Sequence, residues 1–462
     1  MANPWATLGI DLHLEPAGTS GLRRGLTDAL RDAVRTGRLA PGTRLPSSRS
    51  LAADLGIARN TVAEAYADLV AEGWLTARQG SGTRVAERPV VPPAATAPPR
   101  RTPGRPEYSL VPGTPDLAAF PRAEWLKAAR RALAAAPLDA LGYGDPRGRP
   151  ELRTALAGYL ARARGVRAHP GTILITAGFS HALRVIGAVL RARGARPVAV
   201  ESYGLDVHRD LLRDAGLATP ALPYGELGTD TGALDDEGAV LLTPAHQFPM
   251  GTALHPDRRT AVVEWARRTG ALVLEDDYDG EFRYDRQPVG ALQGLDPDRV
   301  VHLGTTSKSL APGLRLGWMV LPPSLMEEAV AAKGRSDTVG VLDQLTLAEF
   351  LTCGAYDRHV RSARLRYRRR RDALAAAVAE SAPGVRVTGI AAGLHAVLRL
   401  PPGTEQAVVQ AANWQGLALH GLSFHRHPHA VAEPVDALVV GYGTPPDSAW
   451  AGALEALCRV LP

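Results

Sequence analysis

The feature that most limits how this chain can fold is residues 89–106, PVVPPAATAPPRRTPGRP. Recurrent proline fixes φ and removes backbone donors, so neither a helix nor a sheet ladder runs through it. The segment reads as a semi-rigid linker. Chain on its two sides must bury apolar residues separately, which predicts a small module over 15–88 and a large domain over 107–462. At 45% hydrophobic and 22% charged, the chain has apolar content for both cores and is too apolar to be mostly disordered.

In the small module, Leu22, Leu26, Leu30 and Val34 recur on one face of a helix that Gly37 stops. A second helix fits Ser47 to Leu55, with Ser47 or Ser48 as N-cap and Gly56 at its end. A third begins near Arg59, burying Val62, Tyr66, Leu69 and Val70 and projecting Arg59, Asn60, Thr61 and Glu64. Helix, glycine turn and helix have helix-turn-helix spacing. Trp74 to Ala77 and Thr83 to Val85 then flank the polar tip Arg78-Gln79-Gly80-Ser81-Gly82, a hairpin that completes a winged helix. Arginine exceeds Asp plus Glu by four over residues 21–88, so most of the net charge of +6 sits here, suited to phosphate contact.

This module resembles the GntR family of bacterial regulators. The resemblance runs through Pro41-Gly42-Thr43-Arg44-Leu45-Pro46-Ser47-Ser48-Arg49, Leu55-Gly56-Ile57-Ala58-Arg59-Asn60-Thr61-Val62 and Gly80-Ser81-Gly82-Thr83-Arg84-Val85. It implies DNA contact by Arg44, Arg49, Arg59, Asn60, Thr61, Gln79, Ser81 and Gly82. Arg49 and Arg59 are expected on phosphates or base edges, Thr61 at the start of the recognition helix and Gly82 in the wing. Ala58 departs from the serine common there and forfeits about 1 kcal/mol of capping.

Beyond the linker, short apolar runs at 172–176, 198–201, 239–242, 271–275, 300–303 and 318–321 alternate with helical patterns. That predicts an α/β domain with a largely parallel sheet. Only three residues in the chain are lysine, Lys127, Lys308 and Lys333, so any Schiff-base chemistry is confined to them. Lys308 follows a strand in Gly304-Thr305-Thr306-Ser307-Lys308, with Arg315 seven residues on, where hydroxyls and a guanidinium can hold a phosphate. A second strand ends in Asp276-Asp277-Tyr278, able to pair a carboxylate with a pyridine nitrogen and a phenol with a ring oxygen. A third opens through Gly178-Phe179-Ser180 into a helix, an anion site at a helix N-terminus. All three fall where open α/β sheets bind ligands.

The large domain resembles the class I aminotransferases, and the whole chain resembles the MocR subfamily of GntR regulators. The implied fold is a winged helix-turn-helix joined to an α/β PLP-dependent transferase fold, with a large, mostly parallel sheet and a smaller C-terminal α+β subdomain. The resemblance makes Lys308 the Schiff-base lysine for pyridoxal 5'-phosphate (PLP), Asp276 the pyridine-nitrogen partner with Asp277 as the alternative, and Tyr278 the phenolate partner. Gly178, Phe179, Ser180, Thr305, Ser307 and Arg315 would bracket the phosphate and Tyr203 would stack on the ring.

Two departures bear on function. Phe248 stands where the enzymes carry an asparagine, and the stretch Asp436 to Gly443 is apolar where they place a carboxylate-binding arginine. Arg426, in the run His425-Arg426-His427-Pro428-His429, is one alternative holder; no metal is expected on those histidines. Arg361, Arg364, Arg366 and Arg368 to Arg371 predict a basic helix with Leu365, Tyr367 and Leu374 inward, either a solvated face or a second DNA surface. Cys353 and Cys458 make no disulfide framework, and no secretory leader or membrane span is evident, so a cytoplasmic protein is expected. The reading is a transcription regulator that binds an operator as a homodimer and senses an amine, an amino acid or PLP itself. Its alternative is a working aminotransferase with an attached DNA module.

Overall fold

A computed structural model describes residues 21–78, 82–87, 106–194, 197–284, 289–334, 339–431 and 433–462. The chain divides into two compact units, Met1–Arg105 and Pro106–Pro462.

The first unit has helices Leu22–Arg35, Ser48–Leu55 and Arg59–Ala71, followed by the antiparallel strands Leu75–Arg78 and Gly82–Val85. Ser47 is the N-cap of the second helix: its hydroxyl accepts from the Ser50 amide at 3.1 Å, and Gly56, at φ 65°, closes the other end. The third helix has no side-chain cap, as Ala58 dictates. Leu26, Leu30, Leu51, Val62, Leu69, Leu75 and Val85 close the core, with Leu75 paired across the hairpin to Val85. Arg23 pairs with Glu64 and Asp68, and Arg31 with Glu72, tying the first helix to the third. These pairs are exposed, so the leucine packing supplies most of the hold.

The second unit is built on a seven-stranded sheet in the order Ile173–Thr176, Gly317–Val320, Val300–Thr305, Leu272–Asp277, Ala239–Leu242, Val198–Glu201, Ala221–Leu222. All neighbouring pairs are parallel except those made by Gly317–Val320. The four-residue strands are buried along their whole length, which explains their near-continuous apolar runs. Nearer the C-terminus a four-stranded antiparallel sheet, Arg386–Thr388, Ala396–Arg399, Ala437–Val440, His420–Gly421, has its own core around Leu398, Leu438 and Leu457. Among the described residues, no helix is long and apolar enough to cross a membrane.

The basic helix is part of Ala355–Ser381, and it is not simply a solvated face. Tyr367 and Leu374 are buried as expected, but Leu365 is 58% exposed. Arg370, three residues after Tyr367 and four before Leu374, shares their face and turns inward. Its guanidinium meets Asp116 at 2.9 Å and the Pro445 carbonyl at 2.7 Å, and it also binds Asp447. Replacing Arg370 with Ala strands the buried Asp116 carboxylate. Chemical denaturation should show a loss of about 3–5 kcal/mol, and a loss within about 0.5 kcal/mol would contradict the assignment.

Candidate functional site

A cavity of about 270 Å³ opens at the C-terminal ends of the large sheet, and it contains the lysine singled out by its setting. Lys308 follows strand Val300–Thr305 and donates to the Gly113 carbonyl at 2.5 Å. Burial pushes its pKa below the usual 10.5, opposed by Asp276 and Asp279. A lysine so placed has its free amine more accessible than one in water. Lys333 donates to the Pro146 carbonyl instead.

Neighbouring carboxylates on strand Leu272–Asp277 have been divided between two faces. Asp277 receives both arms of Arg164, at 2.7 and 2.9 Å. Burial raises its pKa, but Arg164 and His302 outweigh burial and hold it below the ordinary carboxylate range. Asp276 lines the cavity, and its Oδ1 is buried without a hydrogen-bond partner. Burial drives its pKa well above the ordinary range, against the pull of Lys308. Of the two candidates, only Asp276 has an oxygen to offer a ligand. Tyr278 also lines the cavity, its hydroxyl donating to the His246 carbonyl at 2.9 Å.

Across the cavity, Gly178 at φ 83° begins helix Phe179–Ala192. A Cβ there would lie 3.0 Å from Arg315 Nη2, so glycine lets the guanidinium rest over the helix N-terminus. Arg315 donates to the Ala177 carbonyl at 2.5 Å and itself sits at φ 51°, a left-handed conformation that costs a non-glycine residue energy. Phe179, Ser180, Thr305 and Ser307 are on the same wall, with Thr305 and Ser307 hydroxyls 2.9 Å apart. Amides at a helix start, hydroxyls and a guanidinium make an anion cradle. Tyr203 completes the lining, 2% exposed.

In the winged unit, Arg44, Arg49, Arg59 and Asn60 are exposed and Thr61 is part-buried. Among the described residues none of these arginines is in an ion pair, whereas Arg23, Arg31 and Arg35 are all neutralised by carboxylates. Arg44 lies beside the wing, 3.3 Å from where a Cβ on Gly82 would be. Gln79 and Ser81 lie outside the described residues.

Comparison with known proteins agrees with both units. Residues 22–85 match the family "Bacterial regulatory proteins, gntR family", and residues 113–423 match "Aminotransferase class I and II". The pyridoxine biosynthesis regulator PdxR of Corynebacterium glutamicum is 33% identical over 94% of this chain and 95% of its own length. The probable rhizopine catabolism regulatory protein MocR of Rhizobium meliloti is 33% identical, over 88% of each chain. This chain belongs to that family of HTH-type transcriptional regulators with an aminotransferase-like domain. Among solved structures, the α-aminoadipate aminotransferase LysN of Thermus thermophilus, complexed with N-(5'-phosphopyridoxyl)-L-leucine, aligns with a TM-score of 0.67. It shares 25% identity over 76% of this chain and 91% of its own.

The structure places both departures noted in the sequence. Phe248 does line the cavity, and the neighbouring Gln247 amide is spent on the backbone at Tyr203 and Phe248. The stretch around Val439 is a fully buried strand with no guanidinium. Arg426 is not brought into the cavity lining: its Nη2 donates to the Ala430 carbonyl at 2.7 Å. The cavity instead contains His208 and Arg209, from helix Asp206–Asp214, which no sequence pattern marked. The only available signal was position, one turn beyond a strand end. Donor atoms of His246, Asp279 and His395 also lie within 4.8 Å of one another, a set that includes none of the histidines of the His425 to His429 run. Here Asp279 accepts from His246 Nδ1 at 2.8 Å, and His395 Nε2 meets the Pro249 carbonyl at 3.0 Å.

Glu201, at the end of strand Val198–Glu201, was likewise unmarked. It accepts from Thr229 at 2.8 Å and from the Thr243 hydroxyl, and burial pushes its pKa from 4.5 to about 7. Between those values the folded state keeps a proton that the unfolded state releases, so stability falls as pH rises through the window. Glu201→Gln should remove about 3 kcal/mol of that pH dependence. Denaturation curves at pH 4.5 and pH 7.5 check it, and an unchanged difference in the variant would contradict it.

Proposed function

We propose that this regulator holds PLP in the cavity at Lys308 and reports on a small amine through it to the DNA-binding module. Residues 15–88 act as that module, 89–106 as linker and 107–462 as the effector domain. The observation that carries the proposal is Asp276: a buried carboxylate oxygen without a partner shares a cavity with a lysine of lowered pKa and an anion cradle. A pyridine N–H satisfies that oxygen, an aldehyde suits the lysine and a phosphate suits the cradle, so the residues fit this cofactor.

When bound, PLP supplies an aldehyde that captures primary amines and a ring that withdraws electrons. Lys308 is the residue that would hold the cofactor covalently. Asp276 would accept from the ring nitrogen, Tyr278 would serve the phenolic oxygen and Tyr203 would lie against the ring. The amides at Gly178, Phe179 and Ser180, with Thr305, Ser307 and Arg315, would hold the phosphate. A primary amine ligand would compete with the Lys308 amine and leave that side chain free to move. Where the signal is PLP itself, filling of the cavity replaces amine capture.

Sensing is favoured over steady turnover because the strand at Val439 offers no carboxylate clamp. A homodimer is supported by exposed apolar residues Leu126, Leu133, Leu138, Leu141 and Tyr143, of which Leu138 is 93% exposed. Two copies would present two winged modules to paired half-sites of an operator in the cytoplasm.

Two outcomes test this reading. Purified protein incubated with PLP should gain a visible absorption band that borohydride reduction fixes covalently, and Lys308→Ala should lose the fixation entirely; equal fixation in both proteins would reject the assignment. Arg59→Ala should weaken operator binding and reduce the slope of log affinity against log salt by about 1. Titrations at several salt concentrations read both, and an unchanged slope would remove Arg59 from the phosphate contacts.

A further inference from the structure

Two buried side chains meet beside the Tyr278 hydroxyl. Asp279 accepts from His246 Nδ1 at 2.8 Å, and both side chains are 2% exposed. An ionised carboxylate only accepts, so the proton on this line belongs to Nδ1. At the other corner of the ring, Nε2 is buried without a partner, and a proton there would have no acceptor. His246 is therefore the Nδ1–H tautomer. Gly393 packs against the pair: a Cβ at that position would fall 2.2 Å from His246 Cε1 and 2.6 Å from Asp279 Oδ2. The glycine is itself fixed, its amide donating to the Phe282 carbonyl at 2.7 Å and its carbonyl accepting from the Tyr442 hydroxyl at 2.8 Å.

The tautomer decides what Tyr278 can do with its one hydroxyl proton. The phenol oxygen lies 3.2 Å from His246 Nδ1 and 2.9 Å from the His246 carbonyl. With Nδ1 protonated, that nitrogen cannot take the Tyr278 proton, which is left between the carbonyl and the cavity. In the other tautomer, Nδ1 would be a bare imidazole nitrogen within hydrogen-bond distance and would compete for it. Two neighbours on this wall offer no donor to the cavity. Phe248, edge-on to Tyr278 with ring centroids 6.2 Å apart, has none. His395 Nε2 donates to the Pro249 carbonyl at 3.0 Å, and burial holds its pKa well below 6.5, so its other nitrogen is an acceptor. Asp276, Glu201 and Lys308 are the further titratable groups that line the cavity with Tyr278 and act on this wall.

We infer that His246 and Asp279 are positioning residues that keep the Tyr278 hydroxyl free to serve the cofactor. Asp279 does this at one remove, by fixing the tautomer in which Nδ1 is a donor. The inference deepens the reading that the cavity holds PLP at Lys308 and rests on it, with Tyr278 as the group that would reach the phenolic oxygen. A hydroxyl donating there favours the unprotonated oxygen, the form that absorbs at longer wavelength.

The test uses the full chain loaded with PLP and reads the ratio of the long- to the short-wavelength cofactor band, at one fixed pH and per mole of bound cofactor. Tyr278→Phe should move the ratio about tenfold toward the short-wavelength band, the effect of losing one hydrogen bond to a charged oxygen. Asp279→Ala should do the same, because the freed Nδ1 captures the Tyr278 proton. Loss of the negative charge would by itself favour the unprotonated oxygen and move the ratio the other way, so the direction separates the two causes. Adding His246→Leu to Asp279→Ala removes the competing nitrogen and should return the ratio to within about threefold of the wild type. Asp279→Leu repeats both measurements if the alanine variant does not fold. An Asp279→Ala ratio that stays in place or moves to longer wavelength would overturn the inference, and so would a shift that survives His246→Leu. Failure of the wild type to form a reducible adduct with PLP would instead strike the underlying reading.

Discussion

The bidentate pair between Arg164 and Asp277 underlies the geometry of the whole cavity. Both side chains are 4% exposed, so the pair is desolvated and hydrogen-bonded on two parallel lines, the arrangement in which a buried ion pair holds best. Packing around it is tight: a Cβ at Gly280 would fall 2.2 Å from Asp277 Oδ1 and 2.5 Å from Arg164 Nη2. By fixing Asp277 on one side of the strand, the pair leaves Asp276 on the other, where it meets the cavity with an oxygen unsatisfied. Two adjacent carboxylates thereby have opposite pKa shifts and opposite duties.

The same logic of satisfied and unsatisfied groups separates function from scaffold elsewhere. In the winged unit, Arg23, Arg31 and Arg35 of the first helix are matched to carboxylates, while among the described residues Arg44, Arg49 and Arg59 are exposed and in no ion pair. In the basic helix, both terminal nitrogens of Arg370 are committed, to Asp116, Asp447 and two carbonyls, so its charge belongs to the fold.

Much of this was legible before any coordinates. Proline at 89–106 separates the units, and caps such as Ser47 and Gly56 set helix ends within a residue. Strand ends carry Lys308, Asp276 and Gly178 because motifs of contiguous residues announce themselves in one dimension. What escaped was assembled from distant segments. Gly113, 195 positions before Lys308, receives its ammonium. Arg209 and Glu201 have no flanking pattern, and Arg426 sits in a suggestive run but turns to its own loop. Choosing between Asp276 and Asp277 required Arg164, more than a hundred residues away. Inward placement of Arg370 instead of Leu365 shows that a run of arginines circles a helix, and that phase decides which one is buried.

The central claim is that occupancy of the cavity is coupled to the grip on DNA. Linkage makes this measurable in one quantity, since an effector that binds two states unequally must shift DNA affinity by the ratio of its own affinities. Operator affinity of the wild type should be measured without PLP, with PLP, and with PLP plus a saturating amine, beside Lys308→Ala under the same conditions. The account predicts that the wild-type affinity changes with the cofactor or the amine and that the Lys308→Ala response to amine vanishes. Identical affinities throughout, in both proteins, would contradict it.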